Sequence, residues 1–219
     1  MRDKLSTESR TRGGPAGGGR AGGKHARGTH ARELRIIAGD WRGRRWRFPD
    51  ADIRPTPDRV RETLFNWLQT HIRGARCLDL YAGSGALGLE ALSRGAQQVV
   101  FVDHSRVVTL ALRAVLQQWI EDAADRAGRA EVVCAPARRY IEGPARAFDL
   151  IFLDPPYAAG ELDAVAAALD RGWLEAGGWI YVEHAARAAW APPASWREIR
   201  AGNAGSVGYH LFEREAISR

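Results

Sequence analysis

The chain has 219 residues, 45% of them hydrophobic, and its formal net charge at pH 7 is +6. This length and apolar content suit one globular domain with an extension, and they exclude wholesale disorder. Its apolar runs are far shorter than the roughly 20 residues of a membrane span, so no membrane partner is expected. Residues 1–32 lack the apolar core that secretory signals carry, so we expect no signal peptide.

The positive charge is concentrated near the N-terminus. Residues 1–48 contain 13 Lys and Arg against 4 Asp and Glu, a net charge of +9, which leaves −3 for residues 49–219. Such an asymmetry favours a polyanionic partner that is contacted by a basic arm. Residues 1–31 are rich in Gly and Arg and aperiodic, and we predict that they form a disordered leader.

The two cysteines carry no sign of a metal site. Cys77 and Cys134 both fall in predicted strands, where we expect them to be buried free thiols. No CxxC or Cys/His spacing is present, so neither metal binding nor a disulfide framework is expected. This usage fits a reducing compartment, and we expect a cytoplasmic protein.

Residues 33–48 are predicted to form a β-hairpin, because apolar and basic residues alternate around two glycines. The hairpin belongs to a basic extension, residues 32–53, that precedes a main domain of residues 54–219. Trp41 and Trp46 could stack on bases or pack on the main domain, and packing is expected for at least one. The candidate nucleic-acid contacts in the hairpin and in the turn and helix after it are Arg35, Arg42, Arg44, Arg45, Arg54, Thr56, Arg59 and Arg61.

Strand and helix patterns alternate along the main domain, after a first helix expected around residues 60–68. The predicted strands lie at 77–80, 98–102, 131–135, 148–153 and 179–183, and the helices at 87–93, 107–120 and 162–169. This alternation predicts an α/β, Rossmann-like, mostly parallel doubly wound sheet. A terminal antiparallel pair, residues 197–201 and 207–214, favours the S-adenosylmethionine (SAM) dependent methyltransferase variant over the nicotinamide variant.

A glycine-rich turn joins the first strand of this pattern to its helix. Gly83, Gly85 and Gly88 match G-x-G-x-x-G, and Asp103 ends the second strand 20 residues after Gly83. Glycines let the backbone approach a ligand, a helix N-terminus favours an anion, and a strand-end acid binds ribose hydroxyls. A dinucleotide and SAM both fit this pattern. Asp79 favours SAM, because it can meet the cationic amino-acid end of that cofactor.

The tetrapeptide Asp154-Pro155-Pro156-Tyr157 follows a buried strand, at the edge where open α/β sheets bind ligands. The Asp154 carboxylate and the Pro155 carbonyl could both accept hydrogen bonds from one planar amino group, and Tyr157 could stack on the ring that carries it. Two such acceptors favour localising the lone pair of an exocyclic amine towards a methyl donor. We therefore expect methylation of an exocyclic amine of a base, with Asp154, Pro155, Pro156 and Tyr157 as the catalytic residues.

From about Arg35 to Glu215 the chain resembles the RsmD family of bacterial 16S rRNA (guanine-N2)-methyltransferases. The stretches that carry the resemblance are 35–43, 54–68, 78–96 and 154–157. The resemblance implies SAM as the cofactor and a guanine in the helix 31 loop of 16S rRNA as the target, and the catalytic step described above needs no metal. It also implies an assembled 30S subunit or a late precursor as substrate, and a monomer. The cofactor-binding candidates are Asp79, Tyr81, Ala82, Gly83, Ser84, Gly85, Asp103, His104 and Ala137.

The chain departs from this family in two places. The family usually has Glu where Asp103 stands, and the shorter acid should still reach a ribose. After the third strand the family tends to carry Asp or Asn for the adenine amino group, whereas this chain has Cys134-Ala135-Pro136-Ala137. Recognition of adenine then falls to the backbone N–H of Ala137 and to apolar contact.

Four other functions share part of these signals. DNA N6-adenine and N4-cytosine methyltransferases share the catalytic use of Asp-Pro-Pro-Tyr, but no separate target-recognition domain is evident in this sequence. A protein-glutamine methyltransferase would favour Asn in place of Asp154. An NAD-dependent oxidoreductase would leave Asp-Pro-Pro-Tyr unexplained. A non-catalytic RNA-binding protein on the same fold is disfavoured by the intact Asp154, Gly83 and Gly85.

Overall fold

The computed structural model describes residues 32–49, 56–123, 128–156, 160–188 and 190–216. The predicted leader and two predicted site residues, Arg54 and Tyr157, lie outside these ranges. No helix within the ranges is both long enough and apolar enough to cross a bilayer.

The described residues form nine strands and five helices that alternate along most of the chain. The strands are β1 Arg32–Arg35, β2 Arg45–Phe48, β3 Arg76–Asp79, β4 Gln98–Asp103, β5 Arg129–Cys134, β6 Phe148–Leu153, β7 Leu174–Ala185, β8 Trp196–Ala204 and β9 Val207–Arg214. The helices are α1 Asp58–Trp67, α2 Ala86–Ser93, α3 Arg106–Ala123, α4 Ala137–Ile141 and α5 Glu161–Leu169.

Seven of the strands form one sheet in the order β5-β4-β3-β6-β7-β9-β8. The first five are parallel, and β9 lies antiparallel between β7 and β8. The predicted α/β, mostly parallel sheet with a terminal antiparallel pair is therefore confirmed. Because β3, β4, β6 and β7 run parallel, their carboxyl ends meet at one edge of the sheet.

Apolar side chains cover both faces of the sheet. One cluster joins the hairpin, α1, α2 and α3 to sheet residues such as Phe101, Phe152 and Tyr181. The other joins α4 and α5 to Leu78 and Ile151. Side chains alternate between faces along a strand, so Asp79, two residues after a member of the first cluster, Cys77, points to the same face.

The N-terminal hairpin packs into the first cluster and is tied to α2 through polar groups. Glu90 of α2 accepts hydrogen bonds from the backbone N–H groups of Ile37 and Ala38, at 2.8 and 3.0 Å. Trp41 and Trp46 are only 2% and 7% exposed. Both tryptophans therefore pack on the main domain, whereas the sequence predicted packing for at least one of them.

Three local features differ from the sequence prediction. β7 begins at Leu174, whereas the sequence predicted a start at residue 179, because a Gly-Gly pair is typical of a loop. In the structure, a register shift in the pairing of β7 with β6 accommodates Gly177 and Gly178 within the strand. The sequence did not predict α4, because its five residues are too few to show a helical period. Cys134 is exposed at the end of β5, a strand at the edge of the sheet, so the expectation of two buried thiols was wrong for Cys134; Cys77 is buried.

Candidate active site

Four acidic side chains gather at the carboxyl edge of the parallel sheet. Asp79 ends β3 and Asp103 ends β4, whereas Asp154 follows β6 and Glu183 lies two residues before the end of β7. The sequence identified the first three as site residues, and the structure brings them to one edge as expected.

The glycine-rich turn holds Asp79 against the start of α2. The carboxylate oxygen Oδ2 of Asp79 accepts a hydrogen bond from the backbone N–H of Gly88 at 3.0 Å. Gly85, which precedes the helix, has φ +74°, a left-handed conformation that favours glycine. A Cβ atom on Gly88 would lie 2.2 Å from the Phe101 ring, so α2 can approach β4 only with glycine at this position.

Asp79 is almost fully buried, and this changes its acidity. Burial raises the pKa of the carboxyl to about 7, and the negative charge of Asp103 adds to the increase, while the hydrogen bond from Gly88 opposes it. When no cation is near, such a carboxyl takes up a proton as the pH falls below about 7. A positively charged ammonium bound beside it would favour the ionised form.

Asp103 is held in one orientation by two backbone N–H groups. Its oxygen Oδ2 accepts a hydrogen bond from Gly83 at 2.9 Å, and Oδ1 accepts one from Ser105 at 2.7 Å. Each carboxylate oxygen has a second lone-pair direction, so both can still accept a bond from a hydroxyl. The side chain of the neighbouring His104 is 80% exposed and lies 3.7 Å from Oδ1.

A cavity of about 230 Å³ lies beside Asp103. The hydroxyl of Tyr81 donates to Glu161 on α5 at 2.7 Å, and this bond fixes one wall. Ala137 is the first residue of α4, where a backbone N–H has no acceptor inside the helix. A fixed acid, a backbone donor and apolar walls fit the adenosine half of SAM. The lining residues are Leu80, Tyr81, Asp103, His104, Pro136, Ala137, Arg138, Pro156 and Glu161.

Asp154 and its prolines connect this cavity to the neighbouring part of the sheet edge. Pro156 lines the cavity, while Pro155 is buried. Burial raises the pKa of the Asp154 carboxyl well above its usual range, and the negative charges of Glu183 and Asp79 add to the increase. Asp154 thus lies between the cofactor-binding candidates and a second carboxylate on the next strand.

Glu183 is the functional candidate that sequence reasoning missed. It is 5% exposed, and its oxygen Oε1 accepts hydrogen bonds from the hydroxyls of Thr56 and Tyr181, each at 2.9 Å. The rule that identified Asp154, an acid at the carboxyl end of a parallel strand, applies equally to Glu183. The sequence placed Glu183 at the end of its fifth predicted strand but assigned it no role.

The residues proposed to contact nucleic acid differ in exposure and in their partners. Arg35, Arg42, Arg45 and Arg59 are exposed, as that role requires. Two hairpin arginines share an acidic partner, since Glu33 lies 2.5 Å from Arg45 and 3.5 Å from Arg47. The guanidinium of Arg44 lies over the Trp119 ring, 5.7 Å from its centroid.

Two residues of that set belong elsewhere. Arg61 is fully buried and bonds to Asp58 and to the carbonyl of Arg35, with Glu90 3.6 Å away. It therefore joins α1 to the hairpin and does not reach a ligand on the surface. Thr56 is 6% exposed, and its hydroxyl is used by Glu183, so it positions a carboxylate of the site instead of contacting phosphate.

The hairpin also directly contacts the glycine-rich turn between β3 and α2, which we call the cofactor turn. The indole N–H of Trp46 donates to the backbone carbonyl of Ser84 at 2.6 Å, inside the protein. Ser84, Ala82 and Gly85 are all buried, and the turn is closed by a hydrogen bond from Gly85 to Ala82 at 2.6 Å. A residue of the basic extension thus supports the loop that carries the cofactor-binding candidates.

The chain is similar to known proteins along most of its length. Residues 34–213 match the family model described as conserved hypothetical protein 95. The chain is 44% identical over 188 residues to ribosomal RNA small subunit methyltransferase D of Escherichia coli strain K12, covering 84% of this chain and 91% of that protein. It belongs to the methyltransferase D family.

Other relatives support the same membership. The methyltransferase D of Haemophilus influenzae is 37% identical over 185 residues, which cover 83% of this chain and 94% of that protein. A solved structure of a putative methyltransferase from Escherichia coli is 42% identical and superposes with a TM-score of 0.76, over 84% of this chain and 99% of that chain. The family match takes in the hairpin from Leu34 onwards together with all four acids of the sheet edge.

Proposed function

We propose that this chain transfers a methyl group from SAM to the exocyclic N2 amine of a guanine in the helix 31 loop of 16S rRNA. The observation that carries the proposal is the position of Asp154-Pro155-Pro156. Pro156 lines the cofactor cavity, and Asp154 presents a half-buried carboxyl beside it. A target amine held by Asp154 would lie next to the methyl donor.

Membership of a methyltransferase family identifies SAM as the cofactor, as the sequence predicts. Asp79 would meet its amino-acid end, Asp103 its ribose, and the N–H of Ala137 its adenine. When bound, SAM supplies an electrophilic methyl group on a positively charged sulfur. The fixed carboxylates of Asp79 and Asp103 and the cavity beside Asp103 support this assignment.

The residues of the chain contribute to methyl transfer by accepting hydrogen bonds from the target amine and by positioning it. Asp154 and the Pro155 carbonyl would accept the two N–H bonds of the amine and turn its lone pair towards the methyl group. Holding the reacting groups in line can supply several orders of magnitude in rate. Donors that approach Asp154 favour its ionised form and so oppose the effect of burial on its pKa. After transfer, the acidic methylated ammonium loses one proton to Asp154 or to water.

The basic extension supplies the expected contact with RNA. Its exposed arginines lie on the hairpin, while Trp46 of that hairpin reaches the cofactor turn. Phosphate contacts position an RNA without reading its sequence, so the hairpin would place the loop over the site and the pocket would choose the base. We propose an assembled 30S subunit or late precursor as the substrate, and a monomeric enzyme.

The proposal is tested by transfer of labelled methyl from SAM to small-subunit particles that lack the modification, followed by digestion to nucleosides. We expect the label in a single N2-methylguanine within the helix 31 loop. Label in adenine, cytosine or protein would overturn the target while retaining a methyltransferase. The same particles with the Asp154→Ala variant are the control, and they should remain unlabelled.

A further inference from the structure

Glu183 takes no part in the function proposed so far, although it is buried beside Asp154. In the pairing of β6 with β7, Leu153 lies opposite Val182, which places Asp154 and Glu183 at the next matched position. Side chains at matched positions of adjacent parallel strands point to the same face. Adjacent strands lie about 4.8 Å apart, so the two carboxyl groups can reach neighbouring atoms of one ligand.

The Glu183 carboxylate is held by groups from two distant parts of the chain. Thr56, which precedes α1, and Tyr181, within β7, both donate to Oε1. The other oxygen, Oε2, takes no hydrogen bond from a residue that the structure describes. One oxygen is therefore used for orientation and the other is left to accept a bond from a ligand.

The atoms beside the target amine differ between bases. In guanine two ring nitrogens flank the carbon that carries the N2 amine; N3 is an acceptor, whereas N1, on the Watson–Crick edge, carries a hydrogen and is a donor. In adenine and cytosine the ring nitrogen next to the amine is an acceptor. An ionised carboxylate facing that position would attract guanine and repel the other two, since two acceptors without a hydrogen between them cannot bond. Burial raises the pKa of Glu183, and an N1–H donor would oppose that rise by favouring the ionised form.

We propose that Glu183 accepts the N1–H of the target guanine while Asp154 and Pro155 hold its N2 amine, so that Glu183 selects guanine among the bases that carry an exocyclic amine. This inference rests on the proposed function. It gives Thr56 a role as a positioning residue, because its hydroxyl fixes the selecting carboxylate. It also supplies a reason why a tetrapeptide suited to any exocyclic amine would act on guanine here.

The test uses 2-aminopurine, which retains the exocyclic amine of guanine but has an acceptor at N1. Small-subunit particles are assembled from ligated 16S rRNA with guanine or 2-aminopurine at the target position, and kcat/KM is measured for each. The wild-type protein should prefer guanine by about tenfold to a hundredfold, the range expected for a hydrogen bond to a charged group. In Glu183→Gln the preference should fall towards one, because an amide can donate to N1.

The control is Glu175→Gln, the same substitution near the other end of β7, where Glu175 pairs with Arg76. It should leave the preference for guanine unchanged. A merely structural role of Glu183 would lower both rates and keep their ratio, and that result would overturn the inference. If the wild-type protein does not methylate the guanine particle at all, the proposed function itself fails, so the two failures are distinguishable.

Discussion

The carboxylates at the two halves of the sheet edge are held in different ways. At the ends of β3 and β4, Asp79 and Asp103 accept hydrogen bonds from backbone N–H groups no more than 20 residues away. At the end of β7, Glu183 is held by side-chain hydroxyls, one of them 127 residues away in sequence. In the function proposed above, a cofactor half built on local backbone is thus joined to a substrate half built on distant side chains.

This contrast has a functional consequence. Backbone donors cannot be lost by substitution of a side chain, and they suit a cofactor whose shape is constant. Side-chain donors can be exchanged one at a time, and they suit a pocket that must choose among related bases. The two halves meet at Asp154-Pro155-Pro156, where Pro156 lines the cofactor cavity and the pKa of Asp154 responds to the charge of Glu183.

The largest effect is expected from Asp154→Ala, which removes the acceptor from the substrate half. Methyl transfer at saturating SAM should fall by about a thousandfold or more, because positioning of the amine supplies most of the rate. A single-turnover assay on small-subunit particles measures it. The melting temperature should not fall, because desolvation and the negative charges of Glu183 and Asp79 all disfavour the ionised carboxyl that the substitution removes. Retention of a tenth of the wild-type rate would contradict this role.

A smaller effect with a pH signature is expected at Asp79 in the cofactor half. Its pKa is raised to about 7, and only the ionised form can pair with the ammonium of SAM. Affinity for SAM should therefore rise as the pH increases from 6 towards 7, below the range in which the amino group of SAM loses its own proton. Proton release on binding should be largest near pH 6. Calorimetric titrations in buffers of different ionisation enthalpy measure both quantities.

The Asp79→Asn variant provides the control for that pH dependence. It should bind SAM about tenfold to a hundredfold more weakly at pH 8, the loss expected for a charge-assisted hydrogen bond. Its affinity should also vary little with pH over the same range. A pH dependence equal to that of the wild-type protein would assign the titration to another group.

Loss of the hydrogen bond between the hairpin and the cofactor turn should have a moderate effect on stability and on SAM affinity. Trp46→Phe leaves the buried carbonyl of Ser84 without its donor, at a cost of about 1–3 kcal/mol in unfolding free energy. Affinity for SAM should also fall severalfold. Trp41→Phe is the matched control, since Trp41 packs against the Trp119 ring at 5.3 Å and not on this turn. Equal loss of SAM affinity in both variants would refute a specific link.

The smallest effect should come from the basic leader. Removal of residues 1–31 should weaken binding to small-subunit particles mainly at low salt, because phosphate contacts depend on ionic strength. Affinity measured at several salt concentrations should show a reduced slope, while the affinity for SAM stays unchanged. An unaltered slope would mean that the leader makes no phosphate contact.

The sequence predicted the cofactor half better than the substrate half, for a physical reason. The glycine turn, Asp79 and Asp103 act through nearby backbone, so a short motif contains nearly all of their partners. The partners of Glu183 come together only when the chain before α1 folds over β7. No local pattern records that contact, and Thr56 was consequently assigned to the RNA.

Arg61 shows a different source of error. It lies three, four and seven residues before Leu64, Phe65 and Leu68, which is the spacing of one helical face. All four residues are buried, so the spacing did indicate that Arg61 points inwards. Its charge suggested a surface role instead, because a buried arginine requires partners that the sequence does not reveal.

The division of the sheet edge into a cofactor half and a substrate half is tested most directly by the affinity of Asp154→Ala for SAM, measured by calorimetric titration at pH 8. The dissociation constant should stay close to that of the wild-type protein, because we assign the cofactor contacts to Asp79, Asp103 and Ala137. A loss of affinity as large as the loss of methyl transfer would place Asp154 in the cofactor site and contradict the division.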